Sequence, residues 1–395
     1  MITDILKRIK TELETPRPER WFGSGWLSGC GALLCGVVGL LLVTALRFPG
    51  VLTTPQLAFA WDTIYFRAFL HIVLMLGYLF ALVSLLLHPK RMMGYVALGL
   101  VMIAALLGAT HASVAEANTA TIYFGLDFFV LNVLFTGFLF VPLERMFPKY
   151  KDQIVFRPEW NEDIFYYLVS SLIVQVVTFM TLAPAALVQA HTPLNDIRNY
   201  IGGQPFLLQL LLIMLFTDFV QYWLHRLFHR VPFLWQFHAV HHSAQSMDWL
   251  AGGRMHILEV FALRGFTAIP MLTMGFDPAA VQTYVLALYF FSAFVHSNVG
   301  WNLDPMEKFF VTPRFHHWHH GVEKEAIDVN FAIHFPVYDW LFGTYYMPLK
   351  TWPSGYGIEG HPVPHGYAAQ FMYPFRWLKA EIARRKAEAQ AAANP

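Results

Sequence analysis

The chain alternates between long apolar runs and short polar connections. Six runs reach the roughly 20 residues that a helix needs to cross a bilayer: they lie near 24–46, 62–87, 92–111, 122–142, 164–189 and 205–224. Only helices and closed barrels satisfy their backbone hydrogen bonds in lipid. The pattern therefore predicts an all-α, multi-span membrane protein.

Basic residues indicate the orientation of these spans, because cytoplasmic loops collect Lys and Arg. Basic residues precede the first run, Lys90 and Arg91 separate the second and third, and more basic residues follow the fourth, whereas 112–121 has none. The N-terminus and the segment after residue 142 are thus expected in the cytoplasm. Two further spans return the chain to that side near residue 225, which predicts a cytoplasmic helical cap.

Two later apolar segments, 257–276 and 279–296, are interrupted by charge, Gly and Pro, with Arg264 well inside the first. Broken helices at membrane depth normally pack inside protein or line a cavity. We interpret this pair as a short re-entrant hairpin. The chain after residue 300 is expected in the cytoplasm, with a solvated or interfacial helix over 376–393.

Composition agrees with the membrane interpretation. The 395 residues are 56% hydrophobic and 13% charged, whereas soluble domains carry about a quarter charged residues. Lys and Arg total 27 against 26 for Asp and Glu, so charge gives no indication of a nucleic-acid partner. Cys30 and Cys35 share one apolar run and predict no disulfide framework.

Histidine has an uneven distribution, since half of the 18 histidines fall in 225–242 and 316–320. One HxxxH motif and two HxxHH motifs contain His225 and His229; His238, His241 and His242; and His316, His319 and His320, with His317 beside the last set. Helix positions i, i+3 and i+4 share a face about 5–6 Å apart, so each motif can direct two or three imidazoles at a common point. Eight imidazoles exceed one tetrahedral site and suit a pair of metal ions.

Roles without a metal account for less of this histidine pattern. A single HxxxH is usually incidental, and interfacial histidines can be surface groups or a pH-sensing patch near their usual pKa of ~6.5. Imidazole binds Fe, Zn, Cu and Ni alike, so ligand type leaves the metal open. A hydrolytic zinc site needs only three protein ligands, and the nitrogen-rich set favours a di-iron centre that activates O2.

Residues 155–348 resemble the fatty acid hydroxylase / sterol desaturase superfamily. The resemblance rests on TDFVQYWLHRLFHRVPFLWQFHAVHHS, RMHILE, FVHSNVG, FVTPRFHHWHHG, DVNF and YDWLFGTY, in the family's order, with VFRPEWNEDIFYYL upstream. It implies two Fe ions, O2 as co-substrate, and hydroxylation of a lipid (fatty acyl, sterol or related) at an unactivated C–H bond. Desaturation on the same site is the alternative outcome.

The resemblance also implies the ligands. Carried onto this sequence, they are His225, His229, His238, His241, His242, His316, His319 and His320. His296, in the HSN element, is the candidate for a ninth ligand. His317 stands where many members carry Arg and is interpreted as structural or as an outer neighbour of the ligands.

Outer groups are expected around these ligands. Asp218, Asp328, Asn330 and Asp339 could accept hydrogen bonds from ring N–H groups of ligating histidines, which would fix their tautomer and basicity. Capping or solvation of helix ends is the alternative for all four. His256 is interpreted as an outer or packing group.

The chain departs from the family pattern at two positions. Asp248 stands near the place where the family usually has Asn, and Ile257 replaces a Pro. Both lie in the expected substrate-facing loop, so they leave the particular lipid open. The predicted division is 1–150 as a four-span region of unknown role, 151–350 as the catalytic domain and 351–395 as a cytoplasmic tail.

Partners and rivals follow from the same reasoning. Turnover needs two electrons, and the sequence has no Gly-rich dinucleotide fingerprint or Cys cluster, so a separate electron-donor protein or reductase is expected. A multi-pass protein of a bacterial inner membrane fits, with its active site on the cytoplasmic face; the oligomeric state stays open. The rivals are a pterin-dependent ether-lipid monooxygenase, a zinc-dependent membrane hydrolase and a metal transporter or sensor, and Zn can replace Fe in purified protein.

Overall fold

The computed structural model describes residues 2–21, 23–54, 61, 63–111 and 125–393. Regular structure within these ranges is helical, apart from two isolated β-bridges, Pro148–Val299 and Gly321–Tyr356. The predicted all-helical fold class is confirmed. The chain folds as two compact units.

The first unit comprises Met1–Phe135, Ile154–Phe156 and Ser171–Gln175. Its helices are α1 (Ile2–Leu13), α2 (Trp26–Arg47), α3 (Pro49–Leu52), α4 (Ile64–Leu87), α5 (Met92–Leu106) and the first part of α6 (Leu126–Met146). Small residues bring α2 close to its neighbours: a Cβ added at Gly39 would lie 2.5 Å from Leu74 Cδ2. Such close helix packing is typical of membrane bundles.

The second unit comprises Thr136–Gln153, Arg157–Ser170 and Val176–Pro395. Its helices include most of α7 (Trp160–Leu172) and α8 (Val174–His191), followed by α9 (Asn195–Gly202), α10 (Phe206–Arg230), α11 (Pro232–His242), α12 (Ile257–Thr273), α13 (Pro278–His296), α14 (Pro313–His319), α15 (Val337–Leu341) and α16 (Tyr367–Ala393). α10 is central, since α11, α12 and α13 all pack against it. The functional division at residues 150 and 350 stays a prediction.

Among the described residues, α2, α4, α6, α10 and α13 are long and apolar enough to cross a membrane. The multi-span architecture is thereby confirmed. The predicted run 164–189 is not one straight helix, because α7 and residues 176–191 of α8 meet at 59°. α5 has 15 residues and ends before 111, because Gly108 turns the chain with φ +105°, a conformation that favours glycine.

The two interrupted apolar segments, 257–276 and 279–296, form the helices α12 and α13. They have 17 and 19 residues and meet at Gly275, whose φ of +79° and lack of a Cβ admit Arg198. The Arg264 guanidinium lies 5.3 Å from the ring centroid of Tyr289 and donates to its hydroxyl at 3.2 Å. The charge inside the first segment is therefore paired within the hairpin, and the re-entrant path stays a prediction.

Candidate metal centre

Nine histidines of the second unit converge in two groups. Group A consists of His225, His229, His238, His242 and His319, and group B of His241, His296, His316 and His320. Within each group, one ring nitrogen per residue lies within 4.8 Å of all the others. The groups adjoin, since the rings of His242 and His320 stack 4.3 Å apart. The structure thus brings together every expected ligand, including His296.

The boxes lie on helices whose starting points are set by the local sequence. Pro232 occupies the first turn of α11, a position where its missing N–H costs nothing, and it starts a new helix directly after α10. Thr312 caps α14: its hydroxyl accepts from the Phe315 N–H at 3.3 Å, and Pro313 follows it. The register of each HxxHH box is thereby fixed within one or two turns of its first histidine.

Each HxxHH box supplies both groups, which differs from the expectation of one common point. His238 and His242 face group A while His241 faces group B; in the other box His316 and His320 face group B while His319 faces group A. With 3.6 residues per turn, position i+4 lies about 40° from i and position i+3 about 60° the other way. The i, i+4 pair therefore shares a group, and the i+3 residue reaches the neighbouring one.

The Nδ1 atoms of five of these histidines face oxygen acceptors. The pairs are His225 with Phe331 O at 2.9 Å, His238 with Glu259 Oε1 at 2.5 Å, His241 with Arg254 O at 3.0 Å, His296 with Ser292 O at 2.7 Å and His319 with Val329 O at 2.7 Å. Carbonyl and ionised carboxylate oxygens only accept hydrogen bonds. Nδ1 therefore carries the proton in each case, which leaves the Nε2 lone pair free to bind a metal.

The Nε2 atoms point inward at one another. In group A, His238 Nε2 lies 3.0 Å from that of His225 and 3.1 Å from that of His242; in group B, His296 Nε2 lies 3.2 Å from that of His241 and 3.0 Å from that of His316. Facing lone pairs repel unless a cation lies between them. The buried Nε2 of His229 also has no hydrogen-bond partner among the described residues. The donor set thus fits one metal ion in each group.

Burial keeps five of these imidazoles, which lie outside the candidate spans, in the neutral form that binds metals. Desolvation, followed by the neighbouring imidazoles, lowers the pKa of His242, His316 and His320 well below 6.5. His241 and His319 have their pKa lowered in the same direction by the same main cause. At neutral pH these five histidines can therefore bind a metal without first losing a proton.

Two carboxylates contact group A. Glu259, which is buried on α12, faces His238 Nδ1, and its Oε2 has no partner among the described residues. Asp328 Oδ1 lies 3.4 Å from His229 Nδ1 and its Oδ2 lies 3.4 Å from Arg230. Sequence reasoning anticipated the contact of Asp328 but gave Glu259 no role. The RMHILE element was the available signal, because it carries Glu259.

Asp218 and Asp339 differ from their expected role, because they contact backbone rather than imidazoles. Asp218 accepts from the N–H groups of residues 333–335 at 2.7–3.2 Å. Asp339 accepts from Phe331 and Ala332 at 2.8 and 2.9 Å. Their action on the histidines is indirect, because they fix the non-helical segment whose Phe331 carbonyl accepts from His225.

Asn330 likewise makes no hydrogen bond to a histidine ring. Its amide donates to Phe315 O at 3.1 Å and to Tyr346 O at 2.8 Å, and its carbonyl accepts from the Tyr346 N–H. Its φ is +58°, a left-handed conformation that Asn tolerates better than most residues. Asn330 therefore turns the chain after the third box and ties it to α14.

His256 and His317 lie outside both groups. His256 caps α12, since its Nδ1 accepts from the Leu258 N–H at 3.2 Å, and its ring stacks on Phe371. His317 is fully buried, with Nδ1 2.7 Å from Tyr356 Oη. The roles of His256 and His317 as structural or outer groups stay predictions.

A buried ion-pair network holds the loop behind group B. Asp248 binds Arg157 through two hydrogen bonds of 2.6 Å, and Asp163 lies 2.5 Å from both Arg157 and Arg254. The Arg254 carbonyl is the acceptor of His241. Asp248, which departs from the family pattern, thus forms a buried ion pair with Arg157. Through Asp163 and Arg254 this ion pair is connected to His241.

Glycine is required where this loop meets group B. A Cβ added at Gly252 would lie 3.0 Å from His296 Nδ1 and 3.2 Å from Ser292 O. These are the two atoms of the hydrogen bond that orients His296. A larger residue at Gly252 would displace that ring.

Comparisons with known proteins agree with this site. Residues 210–344 match the family model for fatty acid hydroxylases. The chain is 29% identical over 248 residues to ornithine lipid hydroxylase of Rhizobium tropici, covering 62% of this chain and 74% of that protein. No solved structure matches the chain.

Other relatives are oxygenases that match over shorter stretches. Human alkylglycerol monooxygenase is 30% identical over 147 residues, which is 37% of this chain but only 32% of that enzyme. Methylsterol monooxygenase 1-3 of Arabidopsis thaliana is 26% identical over 208 residues, which is 51% of this chain and 64% of that enzyme. The stretch that matches the family model, residues 210–344, contains all three histidine boxes, and through it the chain is similar to the fatty acid hydroxylases.

Proposed function

We propose that this protein is a membrane-bound di-iron oxygenase that hydroxylates a lipid with O2. The convergence of nine imidazoles in two adjoining groups carries the proposal. One metal ion per group accounts for all nine histidines, whereas a hydrolytic zinc site would need only three. The oxygenase relatives support the reaction class.

The residues present would hold two irons in unequal coordination. Group A offers five imidazoles and group B four. Bound there, the iron pair would supply the electrons and the open coordination positions needed to activate dioxygen against a C–H bond. Every protein ligand is a neutral nitrogen donor, which distinguishes this set from carboxylate-bridged soluble di-iron bundles.

The chain's own residues would orient the ligands and exclude water. Main-chain carbonyls of Phe331, Arg254 and Val329 fix the tautomers of His225, His241 and His319. Eight of the nine histidines are buried, which would limit the access of bulk water to the metal. Outer hydrogen bonds of this kind set ligand basicity as well as direction.

A lipid with an ornithine headgroup is the first substrate to test. The support is coverage, because the match extends over 74% of the ornithine lipid hydroxylase. We place the site on the cytoplasmic face of a bacterial inner membrane, on the basis of the basic residues between the spans. A separate electron-donor protein completes the system. Desaturation of the same lipid would appear in the assay as loss of two hydrogens without gain of oxygen.

An ether lipid is the second candidate substrate. Its support is the match to human alkylglycerol monooxygenase, which covers a third of that enzyme. Oxygenation of an alkylglycerol in the presence of a reduced pterin, with no activity on ornithine lipid, would favour this candidate. Activity on ornithine lipid with a protein electron donor alone would favour the first.

Metal analysis of the purified protein tests the proposal. We expect about two irons per chain, one for each histidine group, and an antiferromagnetically coupled Mössbauer signal from iron-57-supplemented cells. His319→Ala removes a group A ligand and His241→Ala a group B ligand, so each should lose iron and the coupling. His365→Ala is the matched control, since this exposed histidine lies outside both groups.

Two results would contradict the proposal. One is stoichiometric zinc that iron cannot replace, which would favour a hydrolase. The other is a metal content that both substitutions leave unchanged, which would separate the metal from the histidine groups. Iron loss equal to that of the His365→Ala control would have the same meaning.

A further inference from the structure

The segment 331–342, which follows the third histidine box, lies alongside the middle of α10. Tyr338 Oη donates to Leu215 O at 2.9 Å, and its ring lies 5.7 Å from that of Phe219. The ring of Phe342 lies 4.7 Å from that of Trp223. Leu215 to Trp223 correspond to about 12 Å of helix, and Leu215 itself lies more than two turns inside a candidate span.

A second candidate span contacts the same segment. His334 Nε2 lies 3.2 Å from Tyr284 Oη, and Tyr284 also accepts from Thr217 Oγ1 at 2.8 Å. Tyr284 lies almost two turns inside α13, and Thr217 lies in the middle of α10. His334 is thus held between two membrane-spanning helices, away from their ends.

Five successive N–H groups of this segment have acceptors within the protein. Asp218 accepts from three successive N–H groups, those of residues 333–335, and Asp339 from the two before them, Phe331 and Ala332. The His334 carbonyl accepts from the Val311 N–H at 2.9 Å. Non-helical backbone is tolerated at membrane depth only when protein groups satisfy it in this way, whereas a cytoplasmic loop could use water.

The outward side of the segment is apolar. In α15, Trp340 is 47% exposed and Leu341 68% exposed, with Val337 beside them. They continue the exposed apolar side of α10 formed by Leu211, Phe219 and Trp223. This continuity with a lipid-facing helix indicates acyl chains as the occupant of the surface.

The six described residues that form this surface are all apolar. Asp339 is fully buried, and Arg226 lies beyond Trp223, with its guanidinium 5.6 Å from the indole centroid and Nη1 donating to Tyr222 Oη. An Arg packed on a Trp in this manner is typical of the membrane interface. α15 lies on the bilayer side of that level.

We infer that residues 331–342 form a re-entrant segment that dips into the bilayer, with Val337, Trp340 and Leu341 facing lipid acyl chains. The distribution of charge and apolar runs in the sequence instead predicts a cytoplasmic position for the chain after residue 300. In the re-entrant arrangement the carboxylates of Asp218 and Asp339 take the place of water as acceptors for the backbone N–H groups of residues 331–335.

Fluorescence quenching in vesicles tests the inference. Cys30→Ala and Cys35→Ala remove both native thiols, and Leu341→Cys and, separately, Val337→Cys then carry a bimane label in the full chain. Leu211→Cys on α10 is the lipid-facing control, and Ala387→Cys in the exposed part of α16 is the aqueous control. Vesicles contain either ordinary phosphatidylcholine or the same lipid brominated on its acyl chains, and iodide is the aqueous quencher.

We expect brominated lipid to quench the labels at residues 341 and 337 as strongly as the label at residue 211, with a blue-shifted emission. Iodide should quench only the label at residue 387. Labels at residues 341 and 337 that iodide quenches as it does the aqueous control would overturn the inference. Labels that neither reagent reaches would also overturn it, because they would be covered by protein.

Discussion

The two histidine groups contain the same residue type but are held differently. Group A has a carboxylate behind two of its rings, Glu259 at His238 and Asp328 at His229. Group B has main-chain carbonyls behind His241 and His296, and the Nδ1 atoms of His316 and His320 have no hydrogen-bond partner in the described part of the chain. Carboxylate contacts raise the basicity of an imidazole ligand. Group A should therefore bind its metal more tightly, and group B should be the more labile site.

The largest effect is expected from the arginine that anchors group B. Arg254 is fully buried between Asp163 and Glu159, so Arg254→Ala should destabilise the protein by about 3–5 kcal/mol because buried carboxylates lose their partner. The anchor of His241 moves with that turn, so iron should leave group B first. Thermal unfolding in detergent and iron per chain measure the two effects.

Arg264→Ala is the control for that substitution. Arg264 lies on the neighbouring helix α12, is exposed and contacts Tyr289, so its loss should change stability by no more than about 0.5 kcal/mol. Equal destabilisation by both substitutions would contradict the role of the buried network. Iron lost equally from both groups would contradict the special link to group B.

Removing the charge of Glu259, which contacts His238, should reduce the difference in metal affinity between the two groups. Glu259→Gln keeps the size of the side chain but not its charge, and it should weaken metal binding in group A by about 10- to 100-fold. Competition with a chelator, followed as two phases of metal release, gives the affinity of each group. Group B should be unchanged.

Glu162→Gln provides the matched control. Glu162 is a partly buried carboxylate that accepts from the Gly366 N–H and from Gln370, away from both groups. A comparable loss of affinity in this variant would show that any buried charge matters. Equal weakening of both phases in Glu259→Gln would remove the distinction between the groups.

Lowering the pH should affect the metal-free protein through both groups alike. The folded pKa of His242 in group A and of His316 in group B is lowered, whereas the unfolded residues titrate near 6.5. Their contribution to stability is therefore fully present above about pH 6.5 and is lost as the pH falls, by about 1.4 kcal/mol per pH unit for each such histidine.

Denaturation of metal-free protein between pH 7.5 and 5.5 checks the sign. His242→Asn and His316→Asn should each reduce the slope of the unfolding free energy against pH by the contribution of one histidine. An apoprotein that becomes more stable on acidification would contradict the buried, neutral state of these rings. A smaller pH dependence in only one of the two variants would instead reveal a further difference between the groups.

The smallest effect is expected at Asp328. Its carboxylate lies 3.4 Å from both His229 and Arg230, and it is 27% exposed, so water screens the interaction. Asp328→Asn should weaken group A by at most about 1 kcal/mol, and Asn also tolerates the local φ of +59°. An effect as large as that of Glu259→Gln in the same chelator competition would make Asp328 an equal partner.

Sequence reasoning could reach the features that repeat locally. The apolar runs predicted the long helices, and the spacing of His225, His229 and the HxxHH boxes predicted that imidazoles converge. It could not predict which ring faces which group, because that depends on the rotation of α11 and α14 about their axes. The end of α5 at Gly108 and the 59° bend near residue 174 were also hidden within continuous apolar runs.

Partners that are distant in the chain were the hardest to predict. Glu259 is 21 residues from His238, and Asp218 is more than 100 residues from the backbone that it binds. Composition could suggest that an Asp within a membrane helix has a function. Only the fold shows that its three acceptor contacts are to main-chain N–H groups and not to a histidine ring.

Because each HxxHH box contributes ligands to both groups, helix geometry limits the distance between the two metal positions. Since His241 and His242 are neighbours on α11, and His319 and His320 are neighbours at the end of α14, the distance between the groups is built into covalent geometry. A longer distance would require the rings to change rotamer or the helices to unwind. Metal ions of different size would have to fit the distance that the polypeptide sets between the two groups. The same distance would limit any small molecule bound between the two ions.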